Sequence, residues 1–231
     1  MHRILLGLIL SFLSLALRAA EPWEAPLGAM SLGVTSAIVL DQKNCVDVML
    51  RALQPNDVVK ALVFMPGATD EFYMFHRARA TVTNLMPSLL DAVVALTNQT
   101  HIRVTFRPPL LILHTDEDPL EPLIEIKDAA TAEKVRLTVL SRNGVYNDMD
   151  WDHLLPVIKK TYRVTIRPSY HSLDSWHFFR HSFAAWNLGG WEALEAISMA
   201  GKERIRIEKK RLIFEGDTRV RNRPKFDPPA R

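Results

Sequence analysis

The spacing of apolar positions changes several times along the chain, and each change marks an element. Residues 4–17 are an almost unbroken apolar run, interrupted by Gly7, Ser11 and Ser14. Further on, Leu89, Ala92, Val93 and Leu96 recur at helical spacing. Ser88 is placed to cap that helix, with Asp91 three positions on as its acidic partner. Ile102, Val104 and Phe106 then alternate with Arg103, Thr105 and Arg107, the period of a half-buried strand. Pro108-Pro109 marks a turn, and residues 110–113 are a second strand. The pattern predicts helix, strand, turn, strand over 88–113.

The same pattern returns later. Residues 91–116 align without a gap on residues 192–217, at a shift of 101. Ala92, Ala95, Arg103, Leu111, Ile112 and Asp116 recur as Ala193, Ala196, Arg204, Leu212, Ile213 and Asp217. Val93, Leu96, Val104, Phe106 and Leu113 are replaced only by apolar residues. Conserved spacing of apolar positions with a changed surface predicts a shared core. Two fainter copies follow the same logic. Val58, Ala61, Leu62 and Met65 form a helical stripe, leading to a strand at 72–75. Trp151, Leu154, Leu155 and Ile158 form another, leading into Arg163-Val-Thr-Ile-Arg-Pro, which nearly repeats Arg103-Val-Thr-Phe-Arg-Pro. Short strands at 46–50, 79–83, 135–140 and 176–186 precede the helices.

One such unit cannot bury both its helix stripe and its sheet face, whereas two can. The expected fold class is α+β. Two small domains, 45–116 and 134–217, each comprise two strand–helix–strand units that pack two helices on a mixed sheet. Residues 21–44 form an N-terminal extension with one strand at 33–40. Residues 117–133, rich in acid and Pro, read as a linker in which Leu123-Ile-Glu-Ile is a further strand candidate. Residues 218–231 read as a disordered basic tail.

Composition and charge then decide the compartment. His2 and Arg3 precede the apolar run, and Ala19 and Ala20 follow it, the layout of a signal peptide over 1–20 with cleavage near Ala19-Ala20. The run is shorter than the roughly 20 residues that span a bilayer. The expected location is periplasmic or secreted. The full chain carries a formal charge of +3. Loss of Arg3 and Arg18 with the leader reduces it to +1, so no nucleic-acid partner is expected. Cys45 is the only cysteine, which excludes an intramolecular disulfide, and it reads as a buried thiol. No second apolar stretch is long enough for a transmembrane helix in the mature chain. Peripheral membrane contact by the basic tail is the alternative to a merely solvated one.

Val46-Asp-Val-Met-Leu50 with Asp57-Val-Val-Lys-Ala-Leu62, and Trp191-Glu-Ala-Leu-Glu-Ala-Ile197 with Arg204-Ile-Arg-Ile207 and Leu212-Ile-Phe214, resemble the short N-terminal (STN) domain of secretins and TonB-dependent transducers, in two tandem copies. The resemblance implies a small α+β module at the periplasmic N-terminus of outer-membrane assemblies, where it contacts other envelope proteins.

Reactive constellations are sparse. The run Pro109-Leu-Leu-Ile-Leu-His-Thr-Asp116-Glu-Asp118 resembles the acid-bearing strand of α/β-hydrolases, with His177 or His181 as base. The Gly-x-Ser-x-Gly elbow that such a triad needs is missing. His171, His177 and His181, with Asp174, form a possible metal set, but on a strand 177 and 181 stand about 13 Å apart. No cofactor is expected. The candidate interaction surface comprises Arg103, Arg107, Arg163 and Arg167, at matching strand positions of the two domains, and the aromatic residues Trp176 and Phe178. The expected function is an exported, non-enzymatic protein-interaction module of the cell envelope, accessory to an outer-membrane secretion or transducing assembly, with an envelope protein as partner. The alternative is an envelope hydrolase or metal-dependent enzyme using Asp116 or Asp118 with His177 or His181.

Overall fold

The computed structural model describes residues 20–41, 43–65, 78–116, 119–168 and 181–216. The leader, the strand expected at 72–75, the residues Asp118, His171, Asp174, Trp176, His177 and Phe178, and the basic tail lie outside them.

The first half of the chain runs α1 (Glu24–Gly28), β1 (Ile38–Leu40), α2 (Cys45–Ala52), β2 (Ala61–Phe64), β3 (Ala80–Val82), α3 (Leu89–Gln99), β4 (Arg103–Arg107) and β5 (Leu110–His114). Then come β6 (Leu123–Ile126) and α4 (Ala129–Arg136). The second half runs β7 (Gly144–Met149), α5 (Trp151–Tyr162), β8 (Thr165–Pro168), β9 (His181–Ala185), α6 (Gly190–Gly201), β10 (Glu203–Glu208) and β11 (Arg211–Gly216). The class is α+β, with three sheets among the described residues.

Local chemistry sets the helix starts. The Ser88 hydroxyl accepts from the Asp91 amide, and the Asp91 carboxylate accepts from the Ser88 amide, closing the expected capping box. Asp128 and Asp150 cap α4 and α5 by accepting from the amides of Thr131 and His153. Helix α6 begins where it does because Gly190 lies against Thr138 and the Val135 carbonyl, with no room for a Cβ.

The repeat is preserved in the hydrogen-bond register. In the β4–β5 hairpin Val104 faces Leu113 and Phe106 faces Leu111. In the β10–β11 hairpin Ile205 faces Phe214 and Ile207 faces Leu212, the same pairs at a shift of 101. Each hairpin continues into a parallel strand, β5 to β2 and β11 to β8. Each half also pairs its first strand with its third, β1 with β3 and β7 with β9, antiparallel. The two halves are therefore topological duplicates.

They are not two separate domains. Strand β2 pairs on its free side with β9, antiparallel, with Val63 opposite Phe183. This joins three strands of the first half to two of the second, giving one five-stranded sheet in the order β4-β5-β2-β9-β7. The boundaries at 45–116 and 134–217 thus cut through a single sheet. Further bonds cross the same divide: the Trp186 indole donates to the Leu53 carbonyl at 3.0 Å, and its amide to the Lys60 carbonyl at 2.8 Å.

This sheet separates two cores. Leu62, Phe64, Leu111, Leu113 and Ala184 face the side covered by α2 and α3. Ala61, Val63, Leu110, Ile112, Phe183 and Ala185 face the side covered by α5 and α6. Helix α6 lies between the five-stranded sheet and a four-stranded one, order β6-β10-β11-β8, touching β2 and β9 on one side and β10 and β6 on the other. Its buried residues run around nearly its whole circumference.

Three further expectations change. Residues 46–50 are helical, within α2, and residues 61–64 are a strand, the reverse of the spacing argument. Strand β2 is buried on both faces, so its continuous apolar run carries no period that tells strand from helix. The Asn56 side chain accepts from the amides of Val58 and Val59, a turn that stops any helix there. Residues 119–133, the described part of the expected linker, carry regular structure: β6 pairs with β10 in parallel and α4 begins at Ala129. Val135 and Arg136 end α4, and of the strand expected over 135–140 there is an isolated antiparallel bridge between Val139 and Gly189.

Phe183→Ala removes a fully buried ring stacked 4.5 Å from Tyr146. It is expected to cost about 3–5 kcal/mol, measured by urea denaturation. Residues 45–116 expressed alone lack the partner of β2 and are expected to show no cooperative unfolding transition.

Candidate functional site

A buried polar cluster forms where the two sheets approach α6. Asp150 caps α5 and so turns Trp151, the first residue of that helix, inward. The Trp151 indole N–H donates to Glu203 Oε1 at 2.9 Å. Glu203 is the first residue of β10 and only 4% exposed. Its other oxygen, Oε2, lies 3.5 Å from Nε2 of His181, which opens the described part of β9 and is fully buried. That approach suits an ion pair but is long for a hydrogen bond. Among the described residues neither of the two facing atoms has a hydrogen-bond partner. His181 Nδ1 stands 3.3 Å from the Met149 carbonyl. The imidazole fits because Gly201 has no side chain, and a Cβ there would strike the ring. Trp151 stands edge-on to both His181 and Phe214.

Burial pushes the Glu203 carboxyl above its ordinary value of 4.5, opposed by its contacts with His181 and Trp151. The cluster thus sets a carboxyl whose pKa is raised by burial opposite an imidazole, away from bulk water. A pocket lined by Met65, Pro119, Glu121, Ser198, Met199 and Glu203 adjoins it, with space for about one water. A water reaching Glu203 fits this pocket.

Of the acids expected beside His181, Asp118 lies outside the described residues, and the described acid that faces the imidazole is Glu203. Asp116 instead binds Arg103 at 3.1 Å, and both side chains are well exposed. Both ring nitrogens of His181 face Glu203 and Met149, so His181 and Asp116 do not form the catalytic pair of the hydrolase alternative. Glu203 was overlooked, although the repeat carried the signal. At the shift of 101, Glu203 replaces Ile102 and His181 replaces Ala80, both fully or almost fully buried. An acid and an imidazole at two core positions that are apolar in the other copy mark the cluster. Cys45 is buried as expected, and its thiol is pushed up to about 12 by burial and by Asp41.

The four arginines do not form one stripe. Arg103 and Arg107 share a face of β4, on the five-stranded sheet. Arg107 donates to the Leu120 carbonyl at 2.9 Å and lies 3.9 Å from Glu195. Arg167 sits on β8 in the four-stranded sheet, opposite Ile213. Arg163 is off the strand altogether, in the left-handed conformation that ends α5. Among the described residues, no group of His, Cys, Asp and Glu is arranged to hold a metal ion. No helix among them is long and apolar enough to cross a membrane. No family model, curated protein or solved structure matches the chain.

A carboxyl whose pKa is raised in the native state contributes stability below its ordinary value of 4.5 and loses it as pH climbs through the native value. Stability of the wild type is therefore expected to decline from pH 4.5 upward through this group. Glu203→Gln keeps the acceptor for Trp151 and places a donor toward His181. It should flatten that decline and leave neutral-pH stability equal or higher by about 1 kcal/mol. Urea midpoints of both proteins from pH 4 to 8 measure this, and parallel curves would contradict it.

Proposed function

We propose that this chain is an exported, non-enzymatic protein-interaction module of the cell envelope, accessory to an outer-membrane secretion or transducing assembly. The observation that carries the reading is the open edge of β4. This strand ends the five-stranded sheet, and among the described residues it pairs on one side only. Its residues are half-buried to exposed, so its outer backbone groups are within reach of another chain. Sheet edges left in this state recruit extended segments. The likeness to the STN module belongs to this proposal and rests on the apolar spacing of residues 46–62 and 191–214. The signal-peptide pattern of residues 1–20 supports export, and the envelope partner follows from the compartment.

The test is fractionation of cells making the tagged protein, followed by intact-mass analysis and cross-linked capture. The expected result is an envelope protein that has lost about 20 N-terminal residues and is recovered with an envelope partner. A full-length protein confined to the cytosol would overturn the reading.

A further inference from the structure

The chain contains its own template for what the β4 edge binds. In the second copy the equivalent strand, β10, has that same edge occupied. Strand β6 lies along it in parallel, with Ile205 opposite Ile124, Arg206 opposite Glu125 and Ile207 opposite Ile126. The Ile207 carbonyl accepts from the amides of Lys127 and Asp128, so the backbone of Ile207 points away from β11 and toward β6. Direction alternates along a strand, so Ile205 points the same way. At the shift of 101 these residues are Phe106 and Val104, in the same register against β5. Their backbone groups therefore point to the open side.

Burial tells the same story. Ile205 and Ile207, on the strand that β6 flanks, are 0% exposed in their core, whereas Val104 and Phe106 are only partly buried against the core of the first half. The charges also match. Glu125 of β6 lies 3.4 Å from Arg204, and its carboxylate is held below the usual range first by Lys127 and then by Arg204 and Arg206. Arg204 is the counterpart of Arg103. An acid placed opposite Thr105 would lie on the face that carries Arg103 and Arg107. Among the described residues Arg103 is held only by an exposed pair with Asp116, which is weak and readily exchanged.

We infer that the β4 edge binds an extended segment of another polypeptide, added parallel to β4, with apolar residues beside Val104 and Phe106 and an acidic residue between them facing Arg103. This rests on the reading of the chain as an interaction module and specifies the chemistry of its partner.

The probe is a synthetic peptide with the sequence of residues 119–128, PLEPLIEIKD, added to the purified full chain. The free amides of Val104 and Phe106 should exchange rapidly, and saturating peptide should protect both, read by amide NMR. Val104→Pro removes an outward donor at an edge position where proline is tolerated, and should weaken binding at least about tenfold. Arg103→Glu, a surface change that leaves the core intact, should weaken it about threefold, and a peptide with lysine in place of its second glutamate should recover that loss. Absence of saturable binding, indifference to both variants, or protection on β10 in place of β4 would each overturn the inference. Protection of Val104 and Phe106 that grows with protein concentration without peptide would assign the edge to a second copy and overturn it too. Failure here is distinct from failure of the broader reading. An exported chain whose captured partner is indifferent to Val104→Pro remains an interaction module and loses this edge.

Discussion

The pairing of β2 with β9 is the constraint on which the rest of the structure depends. Strand β2 is four apolar residues, Ala61 to Phe64, all buried. A strand apolar on both faces is stable only when both faces are covered and both edges are paired. Strand β5 supplies one edge from the same half, and β9 supplies the other from a segment more than 100 residues later. The consequence is one sheet with a core on each face. Each buried Leu or Phe on that sheet contributes about 1.5–3 kcal/mol, and those on β2 and β9 do so only when the halves are joined.

Duplication explains the parts, and departure from duplication explains the properties. Both halves carry the same order of strands and helices, and both hairpins keep one register. The copies differ in what lies on their outer edges and in what fills two core positions. Strand β10 is covered by β6, and β4 is open among the described residues. Ala80 and Ile102 of one copy become His181 and Glu203 in the other. The first difference leaves β4 with an unpaired edge among the described residues. The second buries a carboxyl opposite an imidazole beside Trp151, close to a water-sized pocket.

Much of the local structure was legible in the residues. Helix α3 showed its period and its capping box, and β4 alternated ahead of the Pro108-Pro109 turn. The gapless repeat carried that reading to α6, β10 and β11. Helix α2 and strand β2 were exchanged for physical reasons. Val46, Val48 and Leu50 alternate like a strand, yet Cys45 and Met49, four apart, form the buried helical face. Strand β7 carries Gly144, Asn147 and Asp148, a turn-like composition; its pairing with β9 and the stacking of Tyr146 on Phe183 outweigh that tendency. Those are tertiary effects, invisible to a local pattern. The pairing between the halves was illegible for the same reason, because each half seemed able to close its own sheet. Glu203 was legible only by comparing the two copies position by position.

The claim that both halves share one sheet is tested most directly by native-state hydrogen exchange. Amides of Leu62 and Val63 on β2 and of Phe183 and Ala184 on β9 should exchange with one common free energy, equal to that of global unfolding. Two distinct values, one for each half of the chain, would contradict it.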